Sequence, residues 1–520
     1  MTSDNYNIDV TKIGCIGAGY VGGPTMAMMA YKCPNLRIYA ADVNETRING
    51  WNSSVPPIYE PGLNDILDKT RNINLFFTTN VEMVIKECDI LFIAVNTPTK
   101  DYGIGKDRIP DLSMWEECAR SIAKYSNRNK IIIEKSTVPV KTCDLLLETL
   151  NSCKLDRNIQ FSIISNPEFL SEGTSIYDLE HPDRVLIGGK MECQYTLYSM
   201  EILKNIYLNW IPEEKILMIN AWSSELTKLA SNAFLAQRIS SINSISRLCE
   251  ITGANIDQVS RAVGCDNRIG SKFLKASLGF GGSCFKKDIL CLSYLFEHYN
   301  LKEDALYWKS VSKLNEYQTN CFSEKIIKHM FNNIKNKKIS ILGFSFKKDT
   351  SDIRETPAVI VCQKLIDEGA KLIIYDPCVD SNNIIIELEK KLHLCLKQNI
   401  NINQERVSNV IVTKNIQDCF KDSHALVFCT DWDAFNSIDF QSIINVMEKP
   451  AYIFDGRNFL DHNRLFNIGF NVISIGISPM VHRNNNNNII ENEVQCVGKN
   501  ACIQKMEDES LGATENTISN

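Results

Sequence analysis

A cysteine beside a glycine-rich turn is the first candidate for chemistry in this chain. Cys284 follows GFGG at 279–282 and stands just before a segment with the composition of a helix. Glycines let a ligand approach the backbone closely, and the free amides at the start of a helix stabilise a thiolate. Asp288 lies one turn further along the same face. Its negative charge would raise the pKa of the thiol, so Asp288 is better suited to orienting water or a cation than to activating the sulfur. The spacing is compatible with a nucleophilic thiol and with an ordinary small apolar side chain.

A lysine and an asparagine share one face of a predicted long helix. Lys228 and Asn232 are four residues apart, and residues at this spacing are neighbours on a helix surface. An ammonium group beside an amide can stabilise a developing oxyanion. The alternative is a solvated lysine that pairs with Glu225 on its own helix.

Three glycines near the N-terminus form a dinucleotide-binding fingerprint. Gly17, Gly19 and Gly22 follow a strand-like run at 12–16 and open a helix-like segment. This turn lets backbone amides approach a pyrophosphate at a helix N-terminus. Asp42 ends the next apolar run, where a carboxylate accepts from ribose hydroxyls and repels a 2′-phosphate. The pattern predicts NAD rather than NADP, although Arg47 nearby is a residue type that can hold that phosphate.

Strand-like and helix-like segments alternate near both ends of the chain, and a helical stretch separates them. We predict an α/β protein with two Rossmann-like doubly wound domains, joined by a helical central domain that contains a long helix. The second α/β region repeats the first with a reduced fingerprint, in which Gly343 remains. The predicted boundaries are 1–221, 222–331 with the cysteine, 332–480, and a disordered asparagine-rich tail at 481–520.

The composition excludes several classes of protein. The chain has 520 residues and a net charge of −6, which gives no overall basic surface for nucleic acid. No apolar stretch is long enough to cross a membrane, and the N-terminus lacks the pattern of a signal peptide. The 19 cysteines show no C-x-x-C pair, so we expect neither a metal site nor a disulfide framework. Free thiols in this number favour a reducing, cytoplasmic location.

Many longer motifs resemble those of the UDP-glucose/GDP-mannose dehydrogenase family, and most of all its eukaryotic UDP-glucose 6-dehydrogenases. The motifs occur in the family's order over roughly residues 8–476 and include GAGYVGGP, NTPTK, EKSTVPV, NPEFLSEGT, ELTKLASNAFLAQR, GFGGSCFKKD, GFSFKKDTSDIRETPA and FDGRN. The asparagine-rich region near 382–409 and the tail depart from the family pattern. Neither departure carries a motif residue.

The resemblance implies a four-electron oxidation. In this family UDP-glucose loses two hydrides from C6 to two NAD molecules in turn and becomes UDP-glucuronate. Cys284 would add to the intermediate aldehyde to form a thiohemiacetal, which is oxidised to a thioester and then hydrolysed. A nucleophile is needed because an aldehyde has no hydride to give until something adds to its carbonyl.

The resemblance also implies roles for five other residues near the reacting carbon. Lys228 and Asn232 would stabilise the oxyanion, and Lys228 with Asp288 and a water would take the first proton. Thr137 would lie near the reacting carbon, and Glu168 would be the base for thioester hydrolysis.

The matching positions for the two ligands form two further sets. Those for NAD are Gly17, Gly19, Tyr20, Val21, Gly22, Asp42, Arg47, Thr97, Ser136, Glu172 and Arg354. Those for UDP-glucose are Phe169, Leu170, Lys228, Asn232, Arg268, Lys275, Phe280, Gly281, Phe346, Lys347 and Arg457. The domain at 332–480 would be the UDP-sugar-binding domain. In the family Arg268 reaches the sugar nucleotide of a neighbouring subunit, which implies a homo-oligomer, with a hexamer favoured over a dimer.

Two other functions are compatible with the same fold. One is the oxidation of a different nucleotide sugar, such as UDP-N-acetylmannosamine or GDP-mannose, and the other is the binding of a nucleotide sugar without catalysis. The first alternative depends on the pocket formed by Phe169, Leu170, Lys275 and Phe280. The second predicts loss of the nucleophile or its helpers, all of which are present.

Overall fold

The computed structural model describes residues 10–395 and 409–482. The predicted disordered tail at 481–520 lies outside the described residues except for its first two positions. The end of the asparagine-rich region near 382–409 also lies outside them.

The N-terminal unit is an eight-stranded sheet with helices on both faces. The strand order is β3-β2-β1-β4-β5-β6-β7-β8, and every neighbouring pair is parallel except β6 and β7. Its strands are β1 Lys12–Ile16, β2 Arg37–Ala41, β3 Leu75–Thr78, β4 Ile90–Ile93, β5 Lys130–Glu134, β6 Phe161–Ser165, β7 Val185–Gly189 and β8 Ile216–Asn220. Its helices are α1 Gly22–Lys32, α2 Glu45–Asn52, α3 Leu63–Thr70, α4 Val81–Glu87, α5 Ser113–Tyr125, α6 Thr142–Cys153, α7 Ser175–Glu180 and α8 Gln194–Tyr207.

The apolar strands explain this layered arrangement. Along β4, Ile90 and Phe92 pack into the core on one face of the sheet, while Leu91 and Ile93 pack into the core on the other. Side chains alternate between the faces of a strand, so a continuous apolar run requires cover on both sides. The strand order reverses between β1 and β4, and the carboxyl ends of strands at such a point form a ligand crevice in open α/β sheets.

The central region is helical, as predicted. Its helices are α9 Ala221–Thr252, α10 Ile256–Gly264, α11 Phe285–His298 and α12 Lys302–His329. The sequence predicts Ser223 or Ser224 as the cap of α9, and this is wrong. Asn220 caps the helix instead by accepting from the Ser223 amide at 2.7 Å, since asparagine is among the strongest N-cap residues. Ser224 is buried.

The C-terminal unit is a six-stranded parallel sheet in the order β11-β10-β9-β12-β13-β14. Its strands are β9 Lys338–Leu342, β10 Lys371–Tyr375, β11 Val410–Val412, β12 Ala425–Phe428, β13 Tyr452–Asp455 and β14 Asn471–Ser474, and its helices are α13 Pro357–Asp367, α14 Ser381–Cys395, α15 Phe440–Ile443 and α16 His462–Ile468. The predicted class, two doubly wound α/β units joined by a helical region with a long helix, is therefore confirmed.

The two α/β units share one local arrangement after their first strand. In the first, Asp42 Oδ2 accepts from the Ala18 amide at 2.9 Å. In the second, Asp376 Oδ2 accepts from the Phe344 amide at 2.7 Å. Gly343 has φ +88°, and a Cβ there would lie 2.4 Å from Thr430 Cβ. The glycine retained in the second unit is thus required by a tight turn.

None of the helices in the described ranges combines the length and the apolar character needed to cross a bilayer.

Candidate active site

One cleft of about 2530 Å³ runs between the three units and gathers most of the predicted site residues. Cys284 is the N-cap residue of α11 and faces this cleft. The predicted residues that line it are Gly19, Tyr20, Val21, Arg47, Thr97, Ser136, Thr137, Glu168, Phe169, Leu170, Glu172, Lys228, Asn232, Lys275, Phe280, Gly281, Cys284, Phe346, Lys347, Arg354 and Arg457. The fold therefore brings together segments that are far apart in the sequence.

The glycine turn of the fingerprint has both the close packing and the open face that a dinucleotide requires. Gly17 has φ +101°, and a Cβ there would lie 2.5 Å from the carbonyl oxygen of Ala94. A Cβ on Gly22 would lie 1.9 Å from the carbonyl oxygen of Gly17. Gly19, in contrast, has no atom within 4 Å of an added Cβ, so its face is open to the cleft. The turn is thus packed too closely at Gly17 and Gly22 for any side chain, while Gly19 leaves room for a phosphate.

Asp42 directly follows β2, and its surroundings hold the carboxyl ionised. Burial acts to raise the pKa of its carboxyl, but the amides of Asn44 and Ala18 and the guanidinium of Arg47 outweigh burial and lower that pKa. Arg47 Nη1 lies 2.8 Å from Asp42 Oδ2. The arginine is thus paired with the carboxylate, and the ionised carboxylate together with the open glycine face fits NAD.

Other predicted cofactor residues link neighbouring strand ends. Thr97 Oγ1 donates to the Thr137 carbonyl oxygen at 3.0 Å, and Ser136 Oγ donates to the Val95 carbonyl oxygen at 2.7 Å. These bonds tie the loop after β4 to the loop after β5. The segments thus form one wall of the cleft.

An ion pair crosses the cleft from the C-terminal unit to the N-terminal unit. Arg354 Nη2 lies 2.9 Å from Glu172 Oε1 and 2.7 Å from Asp352 Oδ2. Burial and the nearby charge of Asp352 raise the pKa of Glu172 to about 7. This pairing places Arg354 beside the ring of Tyr20, 5.8 Å from its centroid.

Lys228 pairs across domains and not within its own helix. Its Nζ lies 2.9 Å from Glu168 Oε1, and both side chains are buried. Glu225, the partner in the alternative interpretation, instead accepts from the amides of Lys141 at 2.6 Å and Cys143 at 2.7 Å. The alternative of a solvated lysine paired with Glu225 is therefore wrong.

Both members of the Lys228–Glu168 pair are held ionised. Burial acts to lower the pKa of Lys228, but Glu168 and the groups Cys284 and Asp288 together raise it. Burial acts to raise the pKa of Glu168, but Lys228 and the Leu170 amide, which donates at 2.6 Å, together lower it. The centre therefore contains an ammonium–carboxylate pair in a dry environment.

Asp288 lies behind the wall of the cleft and holds Asn232. Asn232 Nδ2 donates to Asp288 Oδ2 at 2.6 Å, while Asp288 Oδ1 has no hydrogen-bond partner among the described residues. Burial raises the pKa of this carboxyl. Burial also raises the pKa of the Cys284 thiol, with Lys228 acting in the opposite direction. The Cys284 thiol is therefore protonated at neutral pH.

The far end of the cleft is positively charged and tied to the C-terminal unit. Arg457 donates to three carbonyl oxygens, those of Cys429 at 2.8 Å, Gly279 at 3.1 Å and Phe346 at 2.8 Å. It therefore connects the FDGRN loop with the turn that precedes Cys284.

Two lysines and two aromatic residues complete this end. Lys347 Nζ donates to Ser171 Oγ at 2.6 Å, and Lys275 Nζ lies 3.6 Å from Asp431 Oδ2. Phe280 is buried against Phe285 and provides an apolar wall. Such an arrangement suits a diphosphate with a base or sugar beside it.

Arg268 lies apart from the other predicted residues. Its side chain is 89% exposed, pairs with Asp266 at 2.7 Å, and does not line the cleft of its own chain among the described residues.

Three family models match this chain. The NAD binding domain of the UDP-glucose/GDP-mannose dehydrogenase family matches residues 11–211, its central domain matches 222–317, and its UDP binding domain matches 340–462. The chain belongs to the UDP-glucose/GDP-mannose dehydrogenase family. Its N-terminal unit is therefore the NAD-binding domain of that family, and the sequence prediction of this family is confirmed.

Relatives in this family are similar over nearly the whole chain. UDP-glucose 6-dehydrogenase 4 of Arabidopsis thaliana is 52% identical over 476 residues, which cover 90% of this chain and 97% of that protein. UDP-glucose 6-dehydrogenase of Drosophila melanogaster is 53% identical over 466 residues, covering 89% and 96%. The mouse (Mus musculus) protein of that name is 50% identical over 471 residues, covering 90% and 94%.

Two solved structures of nucleotide-sugar dehydrogenases share the fold. A UDP-glucose dehydrogenase from the archaeon Pyrobaculum islandicum superposes with a TM-score of 0.73 at 27% identity, covering 91% of this chain and 98% of that one. A UDP-D-ManNAc dehydrogenase from Pyrococcus horikoshii superposes with a TM-score of 0.74 at 23% identity, covering 89% and 99%, and shows the fold alone.

The sequence analysis does not identify three buried polar residues of the cleft. Lys135, Asn166 and Tyr207 line it, as Glu168 does. The available signal was Lys135 itself, a lysine at the end of the apolar run KIIIEK, where charge is rarely buried without a reason.

Proposed function

We propose that this chain is a UDP-glucose 6-dehydrogenase that oxidises the C6 hydroxymethyl group of UDP-glucose to the carboxylate of UDP-glucuronate. Each sugar, with one water, gives up four electrons as two hydrides. Support comes from relatives named UDP-glucose 6-dehydrogenase that are 50–53% identical over about nine-tenths of the chain. The observation that carries the proposal is Cys284, which faces the cleft beside the buried Lys228–Glu168 pair. NAD, when bound, supplies the hydride acceptor.

In the first oxidation the chain must take a proton from the C6 hydroxyl and stabilise the alkoxide. Lys228 provides the positive charge, and the amide of Asn232 lies one turn further along the same face of α9. Asp288 Oδ1, which lacks a protein partner among the described residues, is free to accept from a water that carries the proton away. Thr137 lines the same part of the cleft.

In the second oxidation Cys284 makes the aldehyde oxidisable. Its Sγ forms a bond to C6, the thiol proton leaves, and the carbonyl oxygen becomes the hydroxyl of a thiohemiacetal. Loss of a proton from this hydroxyl and of a hydride from C6 then gives a thioester. The covalent bond also retains a reactive aldehyde within the cleft.

Hydrolysis of the thioester regenerates the thiol. Glu168 accepts a proton from the attacking water, the C–S bond breaks, and Cys284 recovers its proton as UDP-glucuronate leaves. The carboxylate is suited to this role because Lys228 keeps it ionised. Its partner Lys228 is then placed to stabilise the oxyanion of the tetrahedral intermediate.

The basic end of the cleft would hold the UDP moiety. Lys275, Lys347 and Arg457 supply positive charge, and Phe280 and Phe346 supply apolar surface. Arg268 would reach the sugar nucleotide of a second copy, because it is exposed outside its own cleft. We therefore propose a homo-oligomer, with a hexamer favoured over a dimer. The large number of cysteines favours a cytoplasmic location. The proposed domains of each chain are 1–221, 222–331 and 332–480.

A stoichiometry assay tests this function. Purified protein, UDP-glucose and NAD should yield two NADH for each UDP-glucuronate, and UDP-N-acetylmannosamine and GDP-mannose should be poor substrates under the same conditions. Preference for either of those sugars would identify that sugar as the substrate and leave the proposed reaction unchanged. Absence of NADH formation with every nucleotide sugar would favour a binding protein.

A further inference from the structure

A second buried lysine lines the cleft beside the Lys228–Glu168 pair. Lys135 follows the last residue of β5 and is 5% exposed. Its Nζ donates to Asn166 Oδ1 at 3.1 Å, which is its one hydrogen-bond partner in the part of the chain that the structure describes. An ammonium group has three N–H donors, so two of them have no protein acceptor in that part.

Asn166 holds the lysine in a fixed position. Its Nδ2 donates to the Leu186 carbonyl oxygen at 2.7 Å, and its Oδ1 also accepts from the Tyr207 hydroxyl at 2.7 Å. Asn166 is fully buried. Because both ends of the amide are engaged, its oxygen is a fixed acceptor and restrains the amine of Lys135.

The titratable groups around Lys135 come from three elements. Burial lowers the pKa of Lys135 to about 8, with Lys228 of α9 acting in the same direction. Glu168, in the loop after β6, acts to raise this pKa, as does the Cys15 thiol of β1. Lys135 therefore changes charge near neutrality, whereas Lys228 stays charged because its own pKa is raised.

We propose that Lys135 is a positioning residue of the reaction, which acts by setting how strongly Glu168 binds a proton. This inference rests on the proposed function, in which Glu168 is the base for thioester hydrolysis. While Lys135 is protonated, two positive charges act on Glu168 and weaken it as a base. When Lys135 loses its proton, only Lys228 remains charged, and Glu168 accepts a proton from water more readily.

The pH dependence of thioester hydrolysis tests this role. We would follow UDP-glucuronate release in a single turnover from about pH 6.5 to about pH 9.5. This range extends well below and well above the pKa of about 8 for Lys135. In the unmodified protein the rate should rise on the order of threefold through pH 8, which is the effect of a one-unit change in base strength at moderate Brønsted sensitivity.

Two substitutions of Lys135 should change this profile in opposite ways. Lys135→Arg should remove the rise, because arginine stays charged throughout the range. Lys135→Met should show the raised rate already at pH 7, because the second charge is absent at every pH. Lys135→Arg retains the charge and the donors, so it decides the question even if the methionine variant fails to fold.

Lys130, the first residue of the strand that Lys135 follows, provides a matched control. It is fully buried, burial lowers its pKa to about 8, and its Nζ donates to the Cys88 carbonyl oxygen at 2.6 Å, away from the cleft. Lys130→Met should keep the unmodified profile. An unchanged profile in either Lys135 variant, or a flat profile in the unmodified protein, would overturn the inference. Failure to oxidise UDP-glucose at all would overturn the proposed function instead.

Discussion

Lys228 Nζ lies 2.9 Å from Glu168 Oε1, and this buried pair joins the long central helix to the loop after β6 of the NAD-binding domain. The pair stands beside the thiol of Cys284, whose charge state depends on both residues. One contact between two domains therefore places the proposed nucleophile, base and oxyanion stabiliser in the same cleft.

Breaking this pair should destabilise the protein. Lys228→Met leaves the Glu168 carboxylate buried without its partner, which typically costs about 3–5 kcal/mol. We expect a clear fall in the free energy of unfolding measured with urea. Lys204→Met, which removes an exposed ion pair with Glu213 at 2.7 Å, should change it little. Equal, small effects of both substitutions would contradict this assignment.

The same pair predicts how stability depends on acid pH. The pKa of Glu168 is lowered in the folded protein, so its contribution is present above the ordinary glutamate pKa of roughly 4.3 and is lost as the pH falls toward the folded value. Glu168→Gln removes the carboxylate and, with it, the proton that this group takes up on unfolding at acid pH. Its unfolding free energy should fall less steeply between about pH 5 and about pH 3 than that of the unmodified protein. Parallel pH curves would show that Glu168 is not held ionised.

Replacing the thiol should abolish the second oxidation. Cys284→Ser should lower UDP-glucuronate formation on the order of a thousandfold, because a hydroxyl is a far weaker nucleophile than a thiolate at neutral pH. Cys265, an exposed cysteine of the central region, is the matched control, and Cys265→Ser should keep normal turnover. Normal turnover by Cys284→Ser would end the nucleophile assignment.

Asp42 should control the choice of coenzyme. Asp42→Asn removes the ionised acceptor. It also frees Arg47, whose Nη1 lies 2.8 Å from Asp42 Oδ2 in the unmodified protein, to approach a 2′-phosphate. We expect the KM for NAD to rise on the order of tenfold, as for loss of a charged hydrogen bond, and the preference over NADP to shrink. Kinetics with both coenzymes provide the test. Unchanged constants for both would place the ribose elsewhere.

Asp455 should act on substrate binding through the FDGRN loop. The carboxylate is fully buried and accepts from the amides of Arg457, Phe459 and Leu460 and from His462 Nε2, all at 2.9–3.0 Å. Asp455→Asn should loosen Arg457, raise the KM for UDP-glucose several-fold and change kcat less. A fall in kcat with an unchanged KM would argue against this role.

The strands near the fingerprint could be predicted from the sequence because short apolar runs end at glycine or aspartate. The predicted runs at 12–16 and 37–41 coincide with β1 and β2. The start of α12, which lies at Lys302, could not be predicted from an apolar pattern. Its first turn is charged and carries Glu303 and Asp304, which favour a helix N-terminus without contributing to an apolar pattern.

The pairing of the site residues could be predicted only in part. Helical spacing places Lys228 and Asn232 on one face, but it also makes Glu225 the nearest acid to Lys228. The choice of Glu168 depends on how α9 packs against the sheet, which local spacing does not contain. Lys135 was missed for the same reason, because its surroundings come from β1, α9 and the loop after β6.

Intact mass spectrometry of quenched Glu168→Gln protein tests the central claim most directly. After mixing with UDP-glucose and NAD, this variant should retain the acylated enzyme, with the mass of the oxidised sugar nucleotide on the peptide that contains Cys284 and NADH formed in a burst. Unmodified peptide together with free aldehyde in solution would contradict the account.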